Sequence, residues 1–247
     1  MKKLILHIPH SSTNFPFVDG FISNEIKIKQ EVVKLTDWYT DELFYSEHDT
    51  MIVTPFSRLF CDVERFKRDE DEIMSKVGMG ATYELFDDGS LLRKLTPKLR
   101  ESIIEGYYDK HHSLLNLEVK RQLEKNDKVL ILDCHSFSSI PFIRDLNQNS
   151  NRPDFNIGTD PYHTPKELII ISKQYFVNLG YSCEIDWPYS GSIVPLRYYK
   201  KNKNVNSIML EVNRSLYLNE PTKNKSTNFE KTNGIVKGYI ELLNSLK

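Results

Sequence analysis

The stretch Val129–Phe137, VLILDCHSF, decides the fold because four apolar residues run directly into Asp133, Cys134 and His135. A short apolar run of this kind predicts a strand that is buried on both faces. Side chains alternate along a strand, so Asp133 and His135 share one side and Cys134 takes the other. We therefore expect a central strand that ends in an active site, with Cys134 as a buried, unreactive thiol because His135 cannot easily activate it.

Three other apolar runs stop in the same way, at potentially reactive side chains. LILHIPH ends at His10, MIVTPFSR ends at Arg58, and SIMLEVNR ends at Glu211 and Arg214. Segments with helical spacing lie between the runs, and Thr-Pro pairs at Thr96 and Thr164 predict helix starts. Strands that alternate with helices predict an α/β fold with a mostly parallel central sheet, whose strand ends gather these side chains in one crevice.

Composition narrows the class of protein. The chain has 247 residues, 39% hydrophobic and 27% charged, with a net charge of -1. We expect a single domain over residues 1–247 and a small-molecule partner rather than a nucleic acid. The apolar run behind the first lysines is too short for a secretory signal, and no stretch approaches a membrane span. Three widely separated cysteines fit a reducing compartment, so a cytoplasmic location is expected.

Two histidines at separate strand ends favour a metal site. Imidazole is a common zinc ligand, and a catalytic zinc usually has three protein ligands and one open position. The sequence has no HExxH motif, so the ligands must come from distant segments: His10, His135 and a carboxylate. Asp37 and Asp41, four residues apart on one predicted helix face, are the candidates for the third ligand, and we prefer Asp37.

The nearby acidic residues each allow two interpretations. Asp133 either binds the metal or, as we prefer, hydrogen-bonds a metal-bound imidazole and orients it. Glu211 either acts as general base toward metal-activated water or forms an ion pair with Arg214.

Arginines that follow apolar runs indicate the substrate. Arg58, Arg65 and Arg214 are poor candidates for ordinary surface charge. Guanidinium groups bind carboxylates through paired hydrogen bonds, so these residues favour a carboxylate-bearing substrate. Together with a metal and a base, they indicate hydrolysis of an amide bond.

Seven segments, in order along the chain, are similar to the N-formylglutamate amidohydrolase family. They are HIPHSS, LTDWYTDEL, SRLFCDVERF, YYDKHHSLL, LDCHSF, DWPYSGSIVPLRYY and LEVNRSLYLNE. The resemblance implies a zinc-dependent hydrolase with a three-layer fold, helices on both faces of the sheet, as in zinc carboxypeptidases and aspartoacylase-like deacylases (a phosphorylase/hydrolase-like architecture).

The resemblance also implies roles for single residues. His10 and His135 would hold zinc with Asp37 as third ligand, Glu211 would activate water, and Arg58 and Arg65 would hold the substrate carboxylate. His112 and Tyr189 are possible substrate contacts, although a helix-surface histidine and a turn tyrosine would explain them equally well.

The chain departs from the resembled pattern at one position. The pattern usually reads Asp, any residue, Asn, Arg, whereas this chain has Asp62, Val63, Glu64 and Arg65. A carboxylate beside the expected substrate-binding Arg65 would repel an acidic substrate or neutralise the arginine.

Three hypotheses follow from the sequence. The first is a zinc-dependent amidohydrolase that acts on a small N-acyl amino acid, with N-formyl as a candidate acyl group. The second is a carboxypeptidase-like hydrolase of short peptides or cell-wall fragments. The third is a homologue that binds metal or ligand without turnover, since one fold hosts many functions.

Overall fold

The computed structural model describes residues 4–246. Met1–Lys3, which include the two lysines that precede the first apolar run, lie outside the described residues. The strands are β1 Ile5–Ile8, β2 Thr50–Val53, β3 Val129–Phe137, β4 Phe155–Gly158, β5 Cys183–Ile185 and β6 Val205–Asn213. The helices are α1 Glu25–Leu35, α2 Thr40–Leu43, α3 Pro97–Ile103, α4 Asp109–Leu123, α5 Lys166–Asn178 and α6 Phe229–Ser245.

The six strands form one sheet in the order β2-β1-β3-β6-β4-β5. All neighbours are parallel except β4 and β6, which are antiparallel. The four strands predicted from apolar runs are β1, β2, β3 and β6, and the prediction of an α/β fold with a mostly parallel sheet is confirmed. Strands β1, β3 and β6 are adjacent, so their carboxyl ends open on the same region.

Each face of the sheet packs against helices. On one face, Leu132 and Leu210 lie in an apolar cluster with Phe176 of α5 and Tyr239 of α6. On the other face, Ile131 packs with two buried side chains of α4, Leu115 and Val119. The expected three-layer arrangement follows from this alternation, because successive side chains of a buried strand supply two separate cores.

The predicted helix starts differ in detail. Thr96 caps α3 as expected, since its side chain accepts a hydrogen bond from the Leu99 amide. At the second Thr-Pro pair the N-cap is Pro165, not Thr164. The Thr164 hydroxyl instead donates to the Ser207 carbonyl at 2.7 Å, which ties the helix start to β6.

Strand β4 is not among the strands that the apolar runs of the sequence predict. It is only four residues long and includes a polar residue, Asn156, so it lacks the apolar run of a buried strand. The structure buries Asn156 by pairing its amide with the Tyr189 carbonyl at 2.8 Å and the Trp187 amide at 3.1 Å.

Within residues 4–246, no helix combines the length and the apolar character needed to span a membrane.

The aromatic packing beneath β4 gives a test of the core. The fully buried ring of Phe176 stacks on Phe155 with 4.1 Å between ring centroids. We expect F176A to lower the free energy of unfolding by about 3–5 kcal/mol, because it removes the ring and leaves a cavity. The matched control is V177A, since Val177 is 49% exposed and its truncation should change stability by less than about 0.5 kcal/mol. Urea denaturation measures both, and equal effects of the two substitutions would contradict this packing.

Candidate active site

Three neighbouring strands deliver ionisable side chains to one cleft of about 420 Å³. The register of β3 and β6 pairs His135 directly with Glu211. His10 follows the end of β1, the strand on the other side of β3. All three side chains line the cleft, so the parallel strand ends gather residues that are far apart in sequence.

Asp37 joins them from the loop between α1 and α2. Its backbone amide donates to the His10 carbonyl at 3.0 Å, which fixes the loop beside the end of β1. The expected shared helix face of Asp37 and Asp41 is wrong, because Tyr39 adopts a left-handed conformation with φ 61° between them. Asp41 lies in α2 and is exposed.

His10, Asp37 and His135 present a set of ligand atoms that fits a metal ion. Asp37 Oδ2 lies 3.7 Å from His10 Nδ1 and 3.3 Å from His135 Nδ1. One ligand atom from each residue lies within 4.8 Å of the others, and all three residues are buried. Within residues 4–246, His10 Nδ1 has no hydrogen-bond partner. Two imidazoles and a carboxylate form a donor set that is typical of catalytic zinc.

A carboxylate other than Asp37 hydrogen-bonds Nε2 of each imidazole and orients the ring. His10 Nε2 lies 2.8 Å from Asp62 Oδ1, and His135 Nε2 lies 3.0 Å from Asp133 Oδ1. When Nε2 donates its hydrogen in this way, each Nδ1 directs its lone pair into the space between the imidazole and Asp37 Oδ2, where a cation would be bound. Carboxylates behind metal-binding histidines commonly fix the tautomer in this way. The geometry agrees with the orienting role preferred for Asp133.

Arg214 holds the opposite side of Asp37. Its Nη2 donates to Asp37 Oδ1 at 2.8 Å, its Nε donates to Ser136 Oγ at 3.2 Å, and its Nη1 donates to the Lys34 carbonyl at 2.7 Å. Burial would raise the pKa of Asp37, but the two histidines and Arg214 hold it well below its usual range. Arg214 therefore positions Asp37, and its guanidinium is already committed to protein partners.

Glu211 differs from Asp37 and Asp133, the buried carboxylates that contact His135. Burial raises the pKa of Glu211 to about 8, although the charges of His135 and Arg214 partly oppose this effect. Among the described residues, its Oε2 has no hydrogen-bond partner. Within residues 4–246, Arg214 pairs with Asp37 and forms no ion pair with Glu211. Glu211 is therefore a carboxyl group with a near-neutral pKa that lies beside His135.

The other two expected substrate arginines differ in how fully they are paired. Arg58 donates through Nε and Nη2 to Asp62 Oδ2, at 3.2 and 3.0 Å. Arg65 has only a 3.6 Å ion-pair contact between Nε and Asp62 Oδ2, and no hydrogen bond from its guanidinium occurs within residues 4–246. Both arginines line the cleft, and of the two, Arg65 has more guanidinium N–H groups without a protein acceptor among the described residues.

His112 and Tyr189 also line the cleft, but each has protein partners. His112 Nε2 lies 2.9 Å from the Val63 carbonyl, and burial lowers the pKa of His112 to about 4, so the ring is neutral near pH 7. The Tyr189 hydroxyl donates to Asp145 at 3.0 Å and accepts from Arg152 at 3.1 Å. Both side chains are fixed in place at the cleft wall.

Sequence reasoning missed the role of Asp62. This fully buried carboxylate accepts hydrogen bonds from His10, Arg58 and the hydroxyl of Tyr83, the last at 2.8 Å. Its only sequence signal is a charged residue inside the apolar segment LFCDV.

Sequence reasoning also missed His7, which pairs with two carboxylates. Its Nδ1 lies 2.9 Å from Asp133 Oδ1 and 3.0 Å from Glu64 Oε1. Burial alone would lower the pKa of His7, but these two carboxylates outweigh it and raise the pKa to about 9. Glu64 therefore faces His7, and the expected neutralisation of Arg65 by Glu64 does not occur in the structure.

Comparison with known proteins places this geometry in context. The sequence model of the family described as N-formylglutamate amidohydrolase matches residues 2–218. A relative from Pseudomonas putida, named N-formylglutamate deformylase, is 24% identical over 234 residues, which cover 88% of this chain and 82% of the relative.

Two solved structures share the fold. The crystal structure of an N-formylglutamate amidohydrolase from Ralstonia eutropha JMP134 superposes with a TM-score of 0.85 at 20% identity, covering 97% of this chain and 92% of the other. A gene product of Agrobacterium tumefaciens superposes with a TM-score of 0.68 at 15% identity, covering 100% of this chain and 90% of the other.

The raised pKa of His7 predicts a pH-dependent contribution to stability in chelator-treated protein. The protonated form gains stability that is fully present below the unfolded pKa of 6.5 and is lost as pH rises through about 9. We expect the difference in unfolding free energy between wild type and H7Q to shrink by up to about 3 kcal/mol over this range. The control is H48Q, because His48 is exposed. Urea denaturation at several pH values measures the difference, and a constant gap would contradict the assignment.

Proposed function

Because the chain belongs to the N-formylglutamate amidohydrolase family, we propose that it hydrolyses the amide bond of a small N-acyl amino acid, with N-formylglutamate as the first substrate to test. The observation that carries the proposal is the convergence of His10, Asp37 and His135 beside Glu211 in one cleft. The relatives' names agree with this reaction class. A volume of about 420 Å³ suits a small substrate.

We assign Zn²⁺ as the metal, held by His10, Asp37 and His135. The buried, unpartnered Nδ1 of His10 supports the assignment, since a nitrogen in that position needs a partner. When bound, zinc supplies a Lewis acid that lowers the pKa of water and polarises a carbonyl. Asp62 and Asp133 accept hydrogen bonds from the Nε2–H groups of the two histidines and so leave each Nδ1 lone pair available for the metal.

Glu211 is the proposed general base and acid. Its carboxylate takes a proton from the attacking water and returns it to the leaving amine nitrogen, so one group serves both steps. A near-neutral pKa suits both directions of transfer. Arg58 is the proposed group that stabilises negative charge on the carbonyl oxygen of the substrate. Asp62 holds its Nε and Nη2, whereas its Nη1 has only a 4.0 Å contact with Asp37 Oδ1.

Arg65 is the proposed anchor for the substrate carboxylate. It lines the cleft with its guanidinium hydrogen-bond donors unused within the described chain, and its side chain is 25% exposed. A carboxylate that accepts two of these donors would form the charge-assisted pair for which arginine is best suited. Arg214 is less suited to this task because Asp37 already holds it.

Two substitutions should separate metal binding from proton transfer. H135A should lose one bound zinc relative to wild type and lose turnover, because it removes a ligand. E211Q should keep its zinc but lower kcat by about 10²–10⁴-fold, because the amide cannot accept the proton. E47Q, which alters an exposed glutamate, is the control for the charge change. Metal analysis and kinetics with N-formylglutamate measure both effects.

Turnover by metal-free protein, or by E211Q at the wild-type rate, would contradict the mechanism. Short peptides tested alongside N-formylglutamate distinguish the carboxypeptidase-like alternative. Bound zinc without hydrolysis of any of these substrates would support a non-catalytic homologue.

Arg65 is tested through the substrate carboxylate. We expect R65Q to raise KM for N-formylglutamate by about 10–100-fold with little change in kcat, because a charge-assisted pair is worth about 1.5–3 kcal/mol. The fully amidated substrate analogue should be insensitive to the substitution. R68Q is the control, since Arg68 lies in the same segment and is 70% exposed. Equal losses with both substrates would rule out the anchor role.

A further inference from the structure

A second group of potential metal ligands lies on the other side of Asp133 from His135. His7, Glu64 and Asp133 each offer one ligand atom within 4.8 Å of the others. His7 and Asp133 are fully buried, whereas the Glu64 side chain is 15% exposed and reaches the cleft wall. The cluster is therefore built into the core but can be reached from the cleft through Glu64.

The sheet and the helix α4 fix the geometry of this cluster. His7 on β1 pairs in register with Asp133 on β3, so the two side chains project side by side. His7 Nε2 lies 2.7 Å from His111 Nε2, and His111 Nδ1 lies 3.3 Å from Thr54 Oγ1. Burial and the neighbouring charge of His7 lower the pKa of His111, so His111 is neutral. His111 Nε2 can therefore accept a hydrogen bond from His7 Nε2–H, while His111 Nδ1–H faces the Thr54 hydroxyl.

This chain of hydrogen bonds turns the remaining nitrogen of His7 towards the carboxylates. With Nε2–H donated to His111, His7 Nδ1 is the nitrogen that faces the carboxylates, and it presents a lone pair to a cation once its own proton leaves. Glu64 Oε1 is buried and, within residues 4–246, lacks a partner with hydrogen-bond geometry, although it lies 3.0 Å from that nitrogen. Two carboxylates that converge in a core require a positive charge between them.

We propose that His7, Glu64 and Asp133 form a second divalent-cation site. One imidazole nitrogen and two carboxylate oxygens suit Zn²⁺, and also Mn²⁺ or Co²⁺. The cation replaces the proton that His7 Nδ1 otherwise holds between the carboxylates. The carboxylate of Glu64 completes this ligand set, because His7 and Asp133 supply only two of its three ligand atoms.

The second site would share Asp133 with the first. Asp133 Oδ1 faces both His7 Nδ1 and His135 Nε2, while its Oδ2 accepts from the Ile193 amide. A cation at His7 would draw negative charge away from the side of Asp133 that orients His135. The cation would also offset the negative charge of Glu64, which precedes Arg65 in the sequence. The site uses its own ligands, so it does not depend on the proposed hydrolysis.

Metal stoichiometry tests the second site. Chelator-treated protein is dialysed against Zn²⁺ alone, and bound metal is measured by mass spectrometry. Wild type should bind two equivalents, whereas E64Q and H7Q should each bind one, with second-site affinity reduced at least about 100-fold. H10A should also bind one equivalent, and H10A/E64Q should bind none. E70Q is the matched control, since Glu70 lies in the same segment and is 76% exposed.

The outcomes separate the two sites. A single equivalent in wild type, or two equivalents in both E64Q and H7Q, would overturn the second site. If wild type binds two equivalents of zinc, E64Q and H10A each bind one, and neither wild type nor any variant hydrolyses N-formylglutamate, the second site is supported and the hydrolase proposal is rejected. Circular dichroism and thermal unfolding establish that each variant is folded. E64Q is expected to disturb the fold less than H7Q, because the Glu64 side chain is partly exposed whereas His7 is fully buried.

Discussion

The nine-residue parallel pairing of β3 with β6 is the constraint on which the core and the cleft both depend. Its register sets His135 beside Glu211 and Cys134 beside Leu210. One face of the pair is mainly apolar, with Leu132 and Cys134 opposite Ile208 and Leu210, whereas the other changes from apolar to ionisable at Asp133. A slip of one residue would exchange these faces and bury the charges in the larger core. Hydrophobic packing therefore fixes the register that places the proposed base beside a proposed metal ligand.

Burial of charge explains why four buried carboxylates around His10 and His135 fall into two kinds. Asp37, Asp62 and Asp133 are buried, but each accepts hydrogen bonds from histidine or arginine, and these partners lower its pKa. Glu211 is buried with less compensation, and its pKa is raised to about 8. Desolvation disfavours the charged form unless a partner offsets it. Three carboxylates are therefore fixed as anions, and Glu211 is the one suited to exchange a proton near neutral pH.

The sequence predicts the parts of the site that follow from local pattern. His135 and Glu211 could be located because each ends a long apolar run, and parallel strand ends converge. His10 follows from the same rule. The expectation that Asp37 and Asp41 share a helix face is wrong, because nothing in the sequence reveals that Tyr39 takes a left-handed conformation between them.

Long-range pairs account for what sequence reasoning missed. His7 meets Asp133 across 126 residues, and His10 meets Asp62 across 52, without any repeating pattern to signal either contact. The sequence does not predict strand β4 for a different reason. A buried strand is normally marked by apolar side chains, but here the buried Asn156 is accommodated by hydrogen bonds to Tyr189 and Trp187. Such polar pairings depend on the completed fold, so local periodicity cannot reveal them.

Glu64 shows why adjacency in sequence is a poor guide to electrostatic effect. Next to Arg65 along the chain, it would be expected to cancel the charge that binds substrate. In the structure its carboxylate points to His7, and the guanidinium of Arg65 keeps its hydrogen-bond donors unused within the described residues. The extra negative charge therefore acts on the far side of Asp133, where His7 balances it. A change at position 64 can thus alter the balance of charge around His7 and Asp133, behind the proposed metal ligands, while leaving the proposed carboxylate anchor in place.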